Sequence, residues 1–254
     1  MTHNSRKEKE HFLFSHEDVM VSATLQDLTS LIKALSHIKK EGPFRRMLDL
    51  GCGYGGLTKY VADFLGIYEI YGIDIDEQRL EKAKKRGIKV YKVDLNNEPL
   101  PFPNNYFDIV TSFGVLEHLT SYDNIIAEAH RVLTKKGYFI ISMPNLASWV
   151  NRIALLLGYQ PRDVEISQRI SPGILPLYGG DGIGHIHSAT LKAMKELLEF
   201  YDFDIVLVKP LAPKIKNKLI LVIDKVLGRF ASLSRRFIII AKPKPLMSPG
   251  GTKI

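Results

Sequence analysis

Short β-branched runs alternate with helical periodicities through the middle of the chain. Arg45–Leu50, Tyr68–Ile73, Ile88–Val93, Phe107–Phe113 and Tyr138–Met143 read as strands. Between them, Leu57–Leu65, Asp76–Arg86 and Ser121–Leu133 carry apolar residues at helical spacing, with Asp76 placed to cap its helix and Gly87 to stop it. This order predicts an α/β fold with a doubly wound, mostly parallel sheet. Ser22–Lys40 predicts an amphipathic helix before the first strand, and Ser148–Leu157 a short apolar helix after the fifth. Gly158–Ile186 has little periodicity, and so long an irregular stretch inside a compact domain is usually functional or mobile. Thr190–Tyr201 and Lys214–Phe230 read as helices, Ile205–Val208 and Phe237–Ala241 as late strands. The expected organisation is a helical cap over 1–44 and a main domain over 45–242. That domain carries a helical lid insertion at 146–187 and a basic helix at 214–230, and a flexible tail covers 243–254.

Composition narrows the setting. Apolar residues make up 45% and charged residues 24%, enough for a sizeable core. The single cysteine, Cys52, excludes a disulfide within the chain and suits a reducing, cytoplasmic location. The first residues carry charges with no apolar stretch behind them, unlike a signal peptide. The uncharged run Gly137–Asn151 is too short, and too broken by Pro144 and Asn145, to span a bilayer.

The net charge of +8 is uneven: from Ile205 onward there are eleven Lys/Arg and one acid, Asp224. Such asymmetry marks either contact with an anionic surface or a solvated face. No RNA-binding module or aromatic stacking motif accompanies it, so nucleic acid is disfavoured. Ile215, Leu219, Val222, Ile223, Val226, Leu227 and Phe230 form one stripe on the basic helix, with Lys218, Lys225 and Arg229 largely off it and Arg235 and Arg236 close behind. Either the stripe packs on the sheet edge, or it lies against an anionic membrane through 214–236.

The chemistry concentrates in Leu48-Asp49-Leu50-Gly51-Cys52-Gly53-Tyr54-Gly55-Gly56, between a predicted strand and a predicted helix. Glycines there let the backbone turn tightly and a ligand lie directly on it. Gly51, Gly53 and Gly56 also satisfy the spacing of a dinucleotide turn, and Asp74 stands where a carboxylate accepts from two ribose hydroxyls. Two acids separate the readings. Asp49 lies two residues before the first glycine, where it would repel a pyrophosphate but favour a ligand bearing an ammonium and a sulfonium. Asp94 ends the third strand, where it can accept from an adenine amine. Acids after three successive strands describe an edge that reads an amine, a ribose and an adenine in order.

At these residues the chain resembles the class I methyltransferase superfamily, which depends on S-adenosylmethionine. LDLGCGYGG resembles its first motif, YGIDID its second, KVDLNNEPLPFPNNYFDIVTSFGVLEHL its third and fourth, and EAHRVLTKKGYFIISMPN its fifth-strand signature. Within it, the chain is similar to the small-molecule branch that includes ubiquinone-biosynthesis O-methyltransferases and the "type 11" enzymes. The resemblance implies a Rossmann-like seven-stranded sheet whose last strand is antiparallel. It implies that Asp49, Gly51 and Gly53 hold the methionine end, Asp74 and Ile75 the ribose and adenine, and Asp94 and Leu95 the adenine edge, with the Phe113 carbonyl meeting the amino group.

The acceptor is not legible beyond a small-molecule or lipid-like class, with methylation expected at oxygen or nitrogen. In-line displacement at a sulfonium needs alignment and exclusion of water, and a base only for a protonated acceptor. His118, after the fourth strand, and His185, at the end of the lid segment, are the candidate catalytic residues, while Glu117 reads as a brace. His187 and Asn145 also lie where the acceptor would enter. His185-Ile186-His187 has no acid or cysteine cluster beside it, so no metal is expected. A nicotinamide-dependent oxidoreductase and a cofactor-binding protein without transfer activity are the alternatives.

Overall fold

A computed structural model describes residues 28–167, 169–175, 184–211 and 218–244. The elements in chain order are α1 (Leu28–Lys39), β1 (Arg46–Leu50), α2 (Gly56–Leu65), β2 (Glu69–Asp74), α3 (Glu77–Lys85), β3 (Lys89–Lys92) and β4 (Phe107–Phe113). There follow α4 (Asp123–Val132), β5 (Leu133–Pro144), α5 (Trp149–Leu156), α6 (Leu191–Phe200), β6 (Phe203–Leu211), α7 (Lys218–Leu227) and β7 (Arg236–Pro243). The Ser22–Lys40 helix is described only from Leu28, and residues 214–217 and the tail from 245 lie outside the described residues.

One seven-stranded sheet has the order β3-β2-β1-β4-β5-β7-β6. The first five strands are parallel, and β7 runs antiparallel between β5 and β6. The order reverses between β1 and β4, so the crevice outside their carboxyl ends is where such a sheet binds ligands. Alternation along β1 sends Met47 and Leu48 to opposite faces. Met47 packs with Leu31, Leu35 and Val61 on one side, and Leu48 with Ile126, Met194 and Leu198 on the other. Asp76 caps α3 as its sequence suggests, accepting from the backbone N–H groups of Gln78 and Arg79.

The late strands are longer than the apolar runs that reveal them. β6 and β7 pair from Phe203↔Pro243 to Leu211↔Arg236, so backbone pairing carries them past their apolar centres. β6 is the sheet edge, which is why it tolerates Pro210. The stripe on α7 divides between two environments. Ile223 and Leu227 pack with Leu233 against Trp149 and Val150 of α5, whereas Val222, Val226 and Phe230 are exposed. Helix α7 thus meets another helix rather than the sheet edge alone, and one partner covers only part of so wide a stripe.

The chain after β3 is fixed by one arginine. Arg131, on α4, donates from Nη1 to the Phe102 carbonyl and Asn104, from Nη2 to the Leu100 carbonyl and Glu128, and from Nε to Glu128. Glu128 in turn accepts from the Leu100 N–H at 2.6 Å. Arg131→Ala is expected to lower unfolding stability by about 2–3 kcal/mol, because several carbonyls lose a charged donor together. Arg131→Lys should recover only part of that loss, lacking the planar fork. Urea denaturation of the two variants checks both values.

Candidate functional site

β1 ends at Leu50, and the next five residues reverse the chain into α2. The Ile73 carbonyl accepts from the N–H groups of both Gly51 (2.8 Å) and Cys52 (2.7 Å), tying the turn to the end of β2. Gly51 has φ +77°, and a side chain there would collide with Val115. Gly53, at φ +52°, has open space where a Cβ would stand, and its N–H donates to Asp74 Oδ2 at 2.9 Å. The turn therefore presents bare backbone beside a carboxylate. Behind it lies Cys52, buried, with Sγ so close to Gly72 that a Cβ on that glycine would come within 2.7 Å of it. Burial pushes its thiol well above the usual range.

The three acids occupy different surroundings. Asp49 is buried, in register with Thr111 of neighbouring β4. The Thr111 hydroxyl donates to Asp49 Oδ1 at 2.6 Å, and that of Thr58, on α2, to Oδ2 at 2.5 Å. Burial nevertheless outweighs the two hydroxyls and, with the negative charge of Asp74, pushes the Asp49 carboxyl up to about 6. Asp74 accepts from backbone through both oxygens, Gly53 N–H at Oδ2 and Asp76 N–H (3.0 Å) at Oδ1. A carboxylate oxygen has two lone pairs, so each retains room for a further donor. Ile75, next in sequence, is 62% exposed despite its apolar side chain. Asp94 accepts from the Asn96 backbone N–H (2.9 Å) and from Asn97 Nδ2 (2.9 Å), which hold its carboxyl below the usual range. Leu95 is buried, and its carbonyl accepts from Asn124. Phe113 closes β4, paired with Ser142 of β5.

A second group lies past the end of β4, in the 3₁₀ turn Leu116–His118. The Glu117 carbonyl accepts from the N–H groups of Ile186 and His187, and its buried carboxylate pairs with Arg236 of β7 at 3.1 Å. His185 is 2% exposed; its Nδ1 is 3.1 Å from Asp163 Oδ1 and its Nε2 is 3.9 Å from Glu117. Burial works against charge on Asp163, yet the hydrogen bond and charge of His185, with Arg236 and Arg162, hold its carboxyl below the usual range. Glu165 accepts from the N–H groups of Gly184 and His185, closing the inserted segment on itself. His118 is exposed, its ring centroid 4.9 Å from that of His185. Its Nδ1 lies 3.0 Å from the Gly184 carbonyl, which can only accept. Nδ1 therefore carries the proton, and in the neutral ring Nε2 carries the lone pair.

The sequence brings His118 and His185 forward as equals; the structure sets one at the surface and the other beneath it. Exposed His187 meets the Tyr122 ring edge-on. Asn145 is fully buried, donating to the carbonyls of Ser232 and Ser234, so it braces the turn before β7 rather than facing a cleft. Thr58, Thr111, Asp163 and Arg236 are the members the sequence reading missed. Asp49 and Thr111 face each other across neighbouring strands, a signal available once strand order is known. Arg235 and Arg236, taken from the sequence as part of a basic surface, are instead mostly buried in pairs with Asp224 and Glu117. Among the described residues, no three His, Cys, Asp or Glu side chains are grouped to hold a metal.

Comparison with known proteins bears on this arrangement. A family model described as a methyltransferase domain matches residues 48–141. The chain is 34% identical over 150 residues to the demethylmenaquinone methyltransferase of Geobacillus kaustophilus, covering 53% of this chain and 62% of that protein. It is 29% identical over 141 residues to the cyclopropane-fatty-acyl-phospholipid synthase of Escherichia coli K12, covering 51% of this chain and 36% of that one. The chain thus spans less than two thirds of the length of these relatives. In fold it is similar to a methyltransferase of Thermotoga maritima described as a possible histamine N-methyltransferase, with TM-score 0.58 and 18% identity over 91% of this chain and 97% of that one. It is likewise similar to an S-adenosylmethionine-dependent methyltransferase of Archaeoglobus fulgidus, with TM-score 0.55 and 21% identity over 88% and 98% of the two chains.

The raised Asp49 carboxyl carries a stability consequence. The folded state takes up a proton more readily than the unfolded chain, whose carboxyl has the ordinary value of 3.8. Asp49 therefore favours the fold fully below about pH 4, and that contribution is lost as pH rises through about 6. Asp49→Asn is expected to stabilise the ligand-free protein at pH 8 by about 1–2 kcal/mol and to flatten its stability between pH 4 and 6. Denaturant titrations across that range give the sign directly.

Proposed function

We propose that the chain, which is similar to S-adenosylmethionine-dependent methyltransferases, is a class I enzyme of that kind and transfers a methyl group from the cofactor to a small-molecule or lipid-like acceptor. One observation carries the reading. Bare backbone at Gly53 adjoins Asp74, with Asp49 on β1 and Asp94 just past β3, so three carboxylates lie at one end of the sheet, and among the described residues no cation pairs with Asp49. That arrangement suits a cationic amino-acid end, a ribose and an adenine, and disfavours a pyrophosphate.

When bound, the cofactor supplies an electrophilic methyl whose bonding pair returns to sulfur as the acceptor displaces it. The protein supplies position and field. Asp49 is braced by two hydroxyls and acts through its charge, which a neighbouring ammonium would stabilise against the burial that raises it. The Gly51–Gly53 backbone would hold the methionine end and the Phe113 carbonyl would accept from the ammonium. Asp74 would offer its remaining lone pairs to the ribose hydroxyls, exposed Ile75 would face the adenine, and Asp94 with Leu95 would hold the adenine edge. For an acceptor that arrives protonated, His118 takes the proton at Nε2, the nitrogen left basic by the Gly184 carbonyl. His185 is a positioning residue beneath it, tied to Asp163 and Glu117. The names of the quinone-pathway methyltransferases and of the phospholipid synthase support a lipid-like acceptor.

S-Adenosylhomocysteine is expected to bind in calorimetry and nicotinamide dinucleotides are not. Asp74→Ala should weaken that binding by about 1–3 kcal/mol. Unchanged affinity in the variant would remove Asp74 from the ribose. With an acceptor in hand, turnover should persist in excess chelator, and His118→Ala should slow it while leaving cofactor affinity within about twofold. Cofactor binding without methylated product from any acceptor would leave the chain a binding protein.

A further inference from the structure

Helices α5 and α7 form a pair with an apolar interior. Trp149 and Val150 meet Ile223, Leu227 and Leu233. Trp149 Nε1 donates to Asp224 at 2.8 Å, and Asp224 also pairs with Arg235 at 2.7 Å. The outer faces are the reverse of what water favours. Leu155, Leu156 and Leu157 at the end of α5, Val222 and Val226 on α7, and Phe230 in the turn after it are all exposed, Leu156 by 84%. One exposed leucine needs no explanation; six large apolar side chains on one helix pair do.

Charge identifies what covers them. Arg152 stands exposed one turn before Leu156, and Arg229 exposed beside Phe230. Residues 214–230 carry five Lys/Arg and one acid, and that acid, Asp224, is buried within the pair. A second copy of this chain would bring the same positive charge to the contact. An anionic lipid surface answers both features, with acyl chains for the leucines and phosphates for the arginines. No described helix is long and apolar enough to cross a membrane, so the pair would lie in the interface.

We propose that the outer face of α5 and α7 seats the protein on an anionic bilayer. Helix α5 begins five residues after β5 ends, at the carboxyl edge of the sheet that also holds the glycine turn. The seat therefore places that edge near the headgroups, and the acceptor is an amphiphile dissolved in the bilayer. The acceptor statement rests on the methyl-transfer reading; the membrane seat does not.

Sedimentation of the full chain with phosphatidylcholine vesicles, with and without phosphatidylserine, tests the seat. Retention is expected on the anionic vesicles at low salt, falling as salt rises, with little on the neutral ones. Leu156→Glu and Val226→Glu should each abolish it, and Arg229→Glu should lower it about fivefold or more. The single tryptophan, Trp149, reports whether the pair stays folded in each variant through its emission. Wild-type protein left in the supernatant at low salt overturns the proposal. So does retention of both glutamate variants with Trp149 emission unchanged. A dimer in light scattering that Leu156→Glu dissolves, without vesicle binding, assigns the face to a second copy instead. Calorimetry with S-adenosylhomocysteine in the absence of vesicles separates the two readings. Binding without retention defeats only the membrane seat, and retention without binding defeats only the cofactor assignment.

Discussion

A carboxylate held out of water at the centre of a sheet is the constraint around which this fold is arranged. Among the described residues Asp49 pairs with no cation, and it finds its hydrogen bonds in two hydroxyls from different elements. Thr111 comes from the strand alongside. Thr58 sits in the first turn of α2, so α2 has to begin almost at once after β1. The reversal is left to Gly51–Gly55, and glycines supply positive φ at three of those positions. The open backbone of the turn is thus a by-product of satisfying a buried acid. The same desolvation that destabilises the charge preserves its field for a ligand.

A second buried charge organises the other half of the cleft. Glu117 joins β4, β7 and the inserted segment, through its carboxylate to Arg236 and through its carbonyl to Ile186 and His187. Buried ion pairs of this kind contribute less to net stability than to selecting one arrangement, since removing either partner strands the other. His118 takes its orientation from the same inserted segment, because Gly184, whose carbonyl accepts from the His118 Nδ1–H, donates its own N–H to Glu165.

Much of the fold was legible in the sequence, for physical reasons that also explain the omissions. β1, β2, β4 and the second half of β5, buried on both faces, read as apolar runs, and Asp76 announced its helix by cap chemistry. The ends of β6 and β7 were hidden because Asp204, Lys209 and Lys242 lie in the ladder through backbone pairing. The acids of the glycine turn could be named from their strand ends. Their partners could not, since Thr58 and Thr111 declare themselves only when helix and strand are side by side. His185 read as a candidate catalytic residue rather than a buried brace because its acids, Asp163 and Glu117, are distant in sequence and face it only in the folded chain. Arg235 and Arg236 read as a continuation of a basic surface for the same reason.

Cys52 turns the tightness of the glycine turn into a clock. Its sulfur lies against Gly72, buried, with proton loss strongly disfavoured. The nucleophilic form of a cysteine is the thiolate, so the closed turn protects the sulfur both sterically and by suppressing its reactive form. Alkylation then awaits an excursion that lifts the turn off β2 and lets water reach the sulfur. Where reclosure outpaces the reagent, the labelling rate measures how often that excursion is populated, and a ligand lying on the turn must slow it in proportion to its occupancy.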